Sequence, residues 1–494
     1  MEYVSTRGDK NEKRVAEAII QGIAADRGLF VPTKFPKLSD GCAALVGKTY
    51  KEIATRVFSE FLTDFSKDEI DYCVNSAYDT KFDEADMVKL VNFKEFGFLE
   101  LYHGKTAAFK DMALSILPYF MRIAMEKEKE DKKICILTAT SGDTGKAALE
   151  GFANVRNTEI AVFYPKNGVS DVQRLQMVTQ EGENTHVYAI EGNFDDAQTR
   201  VKDIFGDEKF AAELDKMGVK LSSANSINIG RLLPQVVYYV YTYVKLLESG
   251  KIKAGEEINV VVPTGNFGNI LAAYYAKKMG TPINKLICAS NENNVLTDFF
   301  NTFEYDIRPE KRGFNLTNSP SMDILVSSNL ERLLYHLCGE DTAYIKSLMD
   351  DLAEKKHYSI KAEYQKNFVD FAAGFADMAQ TKEGIKEVYE KYSYLIDTHT
   401  AVAYKVYEDY AKKTGDGTFT VIASTASPYK FPASVANAIG ISNGANDFDY
   451  LVRLFEKTKV GIPKSLADLE HKEIRHNSVI AKDAMKAEVR KIFE

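Results

Sequence analysis

Residues 257–278 read EINVVVPTGNFGNILAAYYAKK. Ile258 to Pro263 is a short apolar run rich in valine, which suits a strand covered on both faces. From Asn269 onward the chain is apolar until Lys277 and Lys278, which suits a covered helix. Between the two, Thr264–Asn269 contains Gly265 and Gly268. A strand, a glycine turn and a helix in about twenty residues form one βα unit, and a sheet built of such units is parallel with helices on both faces. Sheets of this kind bind ligands beyond the carboxyl ends of their strands, so the turns that follow strands are where chemistry is sought.

The same rhythm runs outward from this unit. KICILTA (133–139) precedes GKAALEGFA (145–153), and EIAVFYP (159–165) precedes VQRLQMVTQ (172–180). HVYAIEG (186–192) precedes DDAQTRVKDIF (195–205), and FTVIAST (419–425) adds a late strand. The fold class is therefore α/β with parallel sheets. Residues 1–92 read as mainly helical, because NEKRVAEAIIQGIA (11–24) and KEIATRVFSEFL (51–62) repeat apolar residues at intervals of three and four. Residues 93–440 form the α/β core of two lobes. It is interrupted at about 300–395 by charged segments such as DDLAEKKHYSIKAEYQKNFVDFAAGFADM (350–378), which read as a helical insertion. Residues 441–494 read as an amphipathic, charged helical tail. No internal repeat or low-complexity linker interrupts the chain, so closely packed lobes are expected.

Composition narrows the function classes. With 494 residues the chain exceeds what one core serves, and 45% hydrophobic with 27% charged residues is ordinary for a globular protein. A net charge of −8 argues against nucleic acid or an anionic membrane as partner, leaving a small-molecule ligand. No apolar run reaches the roughly 18 residues that span a bilayer, and MEYVSTRGDKNEK lacks the apolar core of a signal peptide, so a cytoplasmic location is expected. The cysteines (Cys42, Cys73, Cys135, Cys288, Cys338) are scattered and read as small packing residues. His471 and His476 do not share a helix face, and no metal site is expected.

Four turns carry chemistry. In the first, the amides of Gly265, Asn266, Phe267, Gly268 and Asn269 can converge on an anion at a helix N-terminus. The spacing is neither GxGxxG nor a nucleotide P-loop, so a cofactor with one terminal phosphate suits it best. In the second, ILTATSGDTGKAALEGF (136–152), the turn holds Thr140, Ser141, Gly142, Asp143, Thr144 and Gly145. A nucleotide loop is excluded, since Thr140 stands at the first glycine position and Ala147 replaces the magnesium-binding hydroxyl. Hydroxyls and amides at a helix start can bind a carboxylate, or simply cap the helix. In the third, KLSSANSINIGRLLPQ (220–235), Asn225, Ser226, Asn228 and Arg231 suit a second oxyanion such as phosphate.

The fourth is HGKTAAFKD (103–111). Lys110 leads into DMALSILPYFMRIAM (111–125), which is apolar nearly all round and so buried. Desolvation and the positive helix end both disfavour an ammonium there. A neutral amine in a pocket is what a carbonyl-bearing cofactor needs for a Schiff base, and it can later act as a base. Alone, such a lysine more often snorkels from a helix end; two of the other turns, at Gly265–Asn269 and Thr140–Gly145, change that balance.

Together these segments resemble the threonine synthase family, pyridoxal-phosphate enzymes of fold type II, in the branch that includes yeast and many bacterial enzymes. The resemblance covers nearly the whole chain: STRGD (5–9), GIAADRGLFVP (22–32), HGKTAAFKD, TATSGDTG, SANSINIGRLLPQ, PTGNFGN, THTAVAY (398–404) and ASTASPYKF (423–431). It implies that Lys110 carries pyridoxal 5'-phosphate, that Gly265–Asn269 hold its phosphate and that Thr425 faces its pyridine nitrogen. It further implies that Thr140 and Ser141 to Thr144 receive the substrate carboxylate, with Asn225, Ser226, Asn228 and Arg231 at the substrate phosphate. The implied reaction turns O-phospho-L-homoserine and water into L-threonine and phosphate in a monomer or homodimer. The alternative is a phospho-lyase that releases 2-oxobutyrate from the same substrate. The chain departs from the family at Lys105, usually proline, at Arg27, usually glycine, and in TASPYKF for the commoner TAHPAKF. Lys105 would add charge near the substrate phosphate or face solvent, and His103 and His399 read as structural contacts.

Overall fold

The computed structural model describes residues 1–9, 11–140 and 142–494. Two sheets organise it. The larger has six strands in the order Phe371–Phe375, Ile283–Ser290, Ile258–Pro263, Thr420–Ser424, Phe96–Glu100 and Lys89–Asn92. Every pairing in it is parallel except that of the edge strand Lys89–Asn92 with Phe96–Glu100. The smaller has five parallel strands in the order Ser478–Ala481, Thr185–Glu191, Thr158–Pro165, Lys133–Ala139 and Val219–Ser223. The valine-rich strand Ile258–Pro263 is buried along its full length, as a strand covered on both faces must be.

The helix Ile229–Glu248 is buried for almost all of its twenty residues and packs against the helix Gly268–Met279 of the quoted unit. One apolar core runs through the large sheet, this helix pair and the N-terminal region, and a second lies under the small sheet. The helix Asp143–Phe152 approaches the lysine-bearing segment so closely that a Cβ on Gly151 would lie 2.1 Å from the carbonyl oxygen of Leu114. All five cysteines are buried and unpaired.

The N-terminal region combines an antiparallel pair, Tyr3–Ser5 with Phe30–Pro32, and the helices Val15–Gln21, Tyr50–Phe61 and Lys67–Ala77. The last two begin in reciprocal caps, Thr49 with Glu52 and Ser66 with Glu69. Arg27 lies at φ 66°, the left-handed region, where a glycine costs nothing and a Cβ is strained.

Two segments differ from their sequence-based reading. Residues 300–395 do contain the helices Leu330–Leu337, Thr342–Lys355 and Met378–Tyr392, but also Phe371–Phe375, the edge strand of the large sheet. Its FAAGF has no β-branched residue, so local propensity hides it. The tail contributes Ser478–Ala481, the edge strand of the small sheet, whose four residues are too few to show a period.

Candidate active site

Lys110 directly precedes the short helix Asp111–Leu114. Its turn is held from below by the loop that follows the strand Thr420–Ser424. Phe109 N donates to Thr425 O at 2.8 Å, Ser427 N donates to Ala107 O at 3.0 Å, and Ala108 bridges Ala426. Thr106 donates to the Asp111 carboxyl through its amide and its hydroxyl, at 2.8 and 2.7 Å. Burial nevertheless pushes that carboxyl up to about 6.

The Lys110 side chain is 13% exposed and its Nζ lies 3.4 Å from Asp143 Oδ2. Desolvation lowers its proton affinity below that of an ordinary lysine. The Asp143 carboxylate opposes this, and Arg231 and Lys430 reinforce it. Asp143 stands in the first turn of the helix Asp143–Phe152 and is itself buried. Its Oδ1 receives Lys430 Nζ and Gln173 Nε2, both at 3.0 Å, and its Oδ2 receives Ser321 Oγ at 3.1 Å besides Lys110. Desolvation alone would raise its proton affinity, but Lys430 and Lys110 hold it well below the ordinary carboxylate range. The side chain is thus committed to Lys110, Lys430 and their neighbours, and a negative group of its own kind cannot receive a carboxylate. Thr140 Oγ1 accepts from the amides of Gly142 and Gly145, both at 2.9 Å, fixing the turn. Thr144 is partly exposed at its mouth. Ser141 lies outside the described residues.

Gly265–Asn269 forms an open nest. Ser327 Oγ donates to Gly265 O at 2.6 Å, and Asn329 donates to Asn266 O through its amide and its Nδ2 at 3.1 and 3.0 Å. These bonds turn the carbonyls away. The five amides from Gly265 to Asn269 donate to no described protein group. Phe267 enters the helix Gly268–Met279 at φ 65°, the left-handed conformation that bends successive amides toward one point. A Cβ on Gly265 would lie 2.7 Å from Ile324 Cδ1, so a larger residue would have to displace that side chain. Asn269 Oδ1 accepts from Tyr239, while its buried Nδ2 has no partner among the described residues. Unpaired amides at a helix start, with an orphaned donor beside them, fit one phosphate group.

Arg231 is buried, forms no ion pair among the described residues, and uses Nη1 only for Ala224 O at 2.8 Å. Its Nε is buried without a partner among those residues, and burial pushes the guanidinium down to about 10. A cation so placed calls for an anion. Asn225 and Ser226 are partly exposed nearby in sequence. Asn228 is different. Its Nδ2 donates to Ile19 O at 3.0 Å and Ser223 O at 3.2 Å, and its Oδ1 caps Gly230 N at 2.9 Å. Its capacity is spent on holding the helix start, and it has none left for a ligand.

The turn-by-turn sequence reading passed over Lys430, Gln173 and Ser321, although Lys430, between Tyr429 and Phe431, carries the same lysine-in-apolar-surroundings signal as Lys110. Lys105 turns to Glu150 Oε1 at 2.8 Å, half exposed, and Lys146 meets the other oxygen at 3.3 Å. His399 Nδ1 pairs with Asp397 at 2.7 Å and its Nε2 accepts from Ser321 N at 3.3 Å. His103 Nε2 pairs with Glu100 at 2.7 Å.

Family models match the chain in succession. "Threonine synthase N terminus" covers residues 2–78, "Pyridoxal-phosphate dependent enzyme" 88–425 and "Threonine synthase, C-terminal" 400–491. Threonine synthase-like 1 of Homo sapiens is 41% identical over 87% of the chain, which spans only 58% of that relative's length. Threonine synthase of Pseudomonas aeruginosa is 36% identical over 95% of the chain and 97% of its own. A PLP-bound threonine synthase from Brucella melitensis superposes with a TM-score of 0.88 at 34% identity, over 100% of both chains. The two-lobed α/β architecture described above is therefore that of fold type II. The chain belongs to the threonine synthase family of pyridoxal-phosphate-dependent enzymes.

Proposed function

We propose that this chain converts O-phospho-L-homoserine and water into L-threonine and phosphate, with pyridoxal 5'-phosphate carried on Lys110. The observation that carries the reading is Arg231. It is a buried guanidinium without a carboxylate partner among the described residues, near enough to weigh on the proton affinity of Lys110. A phosphate on the substrate completes it. Asn225 and Ser226 supply neutral donors beside it. The nest Gly265–Asn269, with Asn269 Nδ2, would hold the phosphate of the cofactor, and Thr425 would supply a neutral hydroxyl for its ring nitrogen.

When bound, the cofactor supplies an electron sink for the carbon skeleton of the substrate. Lys110, kept short of protons by its dry surroundings, takes the proton from the substrate α-carbon and later returns protons as threonine forms. The amides of Asp143 and Thr144, which donate to no described protein group, would hold the substrate carboxylate, while Asp143 keeps its side-chain charge toward Lys110. Arg231 stabilises the charge that gathers on phosphate as it leaves. Ser321 reaches Asp143 from the same stretch that places Ile324 over Gly265, and this cover delays the entry of water.

The test is direct. Purified protein with pyridoxal phosphate is given O-phospho-L-homoserine, and phosphate, threonine and 2-oxobutyrate are measured together. Equal phosphate and threonine is the expected result. Phosphate matched by 2-oxobutyrate would replace this reading with the lyase, and no phosphate would end both.

A further inference from the structure

Lys430 is a second buried lysine at the site, and its side chain is 0% exposed. It sits in the 3-10 turn Pro428–Lys430, just after the segment that staples the Lys110 turn. Its Nζ donates to Gln176 Oε1 at 2.7 Å and lies 3.0 Å from Asp143 Oδ1. Gln176 turns its oxygen to Lys430 although this leaves its own buried Nε2 without a partner among the described residues. The charge on Lys430 therefore outranks the amide.

Asp143 is shared by two lysines. If Lys110 were its only counter-ion, the carboxylate would stand unpaired in a dry pocket each time the Lys110 nitrogen became neutral, and the nitrogen would therefore keep its proton to a higher pH. Lys430 removes that difficulty because it pairs with the other oxygen. The titratable groups that face this cluster are Lys110 and Asp111 on the lysine turn, Arg231 on the helix Ile229–Glu248, Lys430, and His399 behind Ser321, whose Nε2 accepts from Ser321 N; Gln173, Gln176 and Ser321 are neutral.

We propose that Lys430 is a positioning residue for Lys110: acting through Asp143, it keeps that carboxylate anionic and aimed at the Lys110 nitrogen in both of the nitrogen's protonation states, and so sets the pH at which the nitrogen exchanges its proton. This rests on the cofactor reading given above.

The experiment is a pH titration of the visible absorbance of the pyridoxal-phosphate-loaded protein, for the unaltered chain and for Lys430→Met, Lys430→Gln and Lys430→Arg. Removing a buried positive charge raises the midpoint by about one pH unit or more in the Met and Gln variants, and Arg keeps it within about 0.3 unit of the unaltered protein. Should the Met variant not fold, the Gln variant, which can still bond Asp143 and Gln176, carries the same expectation. The pH dependence of pyridoxal-phosphate capture by cofactor-free protein, which follows the neutral Lys110 amine, shifts in the same direction. An unmoved or lowered midpoint overturns the inference, as does an Arg variant displaced as far as Met. No visible band in the unaltered protein overturns the cofactor reading, and this inference with it.

Discussion

Lys110 and Arg231 show how burial decides what a side chain does. Both are cations by nature, and both are held where water does not compensate them. For Lys110 the outcome is a weaker base with an anion beside it; for Arg231 it is a buried charge whose Nε has no partner among the described residues. Arg231→Ala is expected to lower kcat/KM for the phosphorylated substrate by about a hundredfold, roughly 3 kcal/mol, while bound pyridoxal phosphate, read from the visible spectrum, stays unchanged. Arg27 sits at the other extreme, exposed and strained at φ 66°. Arg27→Gly is expected to stabilise the fold by about 0.5–1 kcal/mol in urea denaturation, the relief of the left-handed Cβ outweighing the freer unfolded chain. The turns that carry Lys110 and Gly265 were legible in the sequence because each is local. Lys430, Gln173 and Ser321 were not, because each reaches Asp143 from a distant segment and nothing local marks the destination.

Among elements, the amide nest Gly265–Asn269 depends on a close fit between the Gly265 turn and the segment around Ile324. A Cβ at Gly265 would meet Ile324 Cδ1 at 2.7 Å and the backbone oxygen of Ser321 at 3.2 Å. The added methyl group must displace the Ile324 side chain and press on the Ser321 carbonyl, in the segment that also carries the Ser321 contact to Asp143. Gly265→Ala is therefore expected to weaken pyridoxal-phosphate binding by about tenfold with little change in secondary structure, a dissociation constant read by fluorescence deciding the matter. Element type was legible where period and propensity agree, as in INVVVP and the capped helices Tyr50–Phe61 and Lys67–Ala77. It was not legible in FAAGF and SVIA. Both are too short for a period to show, and both become strands because a neighbouring strand offers its edge, a long-range pairing that nothing local marks.

At the scale of the whole molecule, ion pairs tie segments distant in sequence, and they set its response to acid. Glu150 on the helix Asp143–Phe152 joins Lys105 and Lys146. Burial would raise its proton affinity, but Lys146 and Lys105 lower it to about 2, against about 4.5 for a free glutamate. A carboxylate depressed in the folded state adds stability that is complete above about pH 4.5 and is lost as pH falls toward 2. Allowing for solvent at the half-exposed Lys105, the contribution is about 2 kcal/mol. Glu150→Gln should flatten the acid limb of stability against pH over that window and leave the slope near neutrality unchanged, as denaturation at a series of pH values will show. The two-lobed plan was legible from the alternation of strands and helices; the closing of the small sheet by residues from the tail was not. That closing strand, Ser478–Ala481, pairs with Thr185–Glu191, about three hundred residues earlier. A ribosome adding roughly 5–20 residues per second leaves the earlier strand with an open flank for tens of seconds. During translation that flank can recruit a foreign strand, so this protein should depend on chaperone shielding more than its finished surface would suggest.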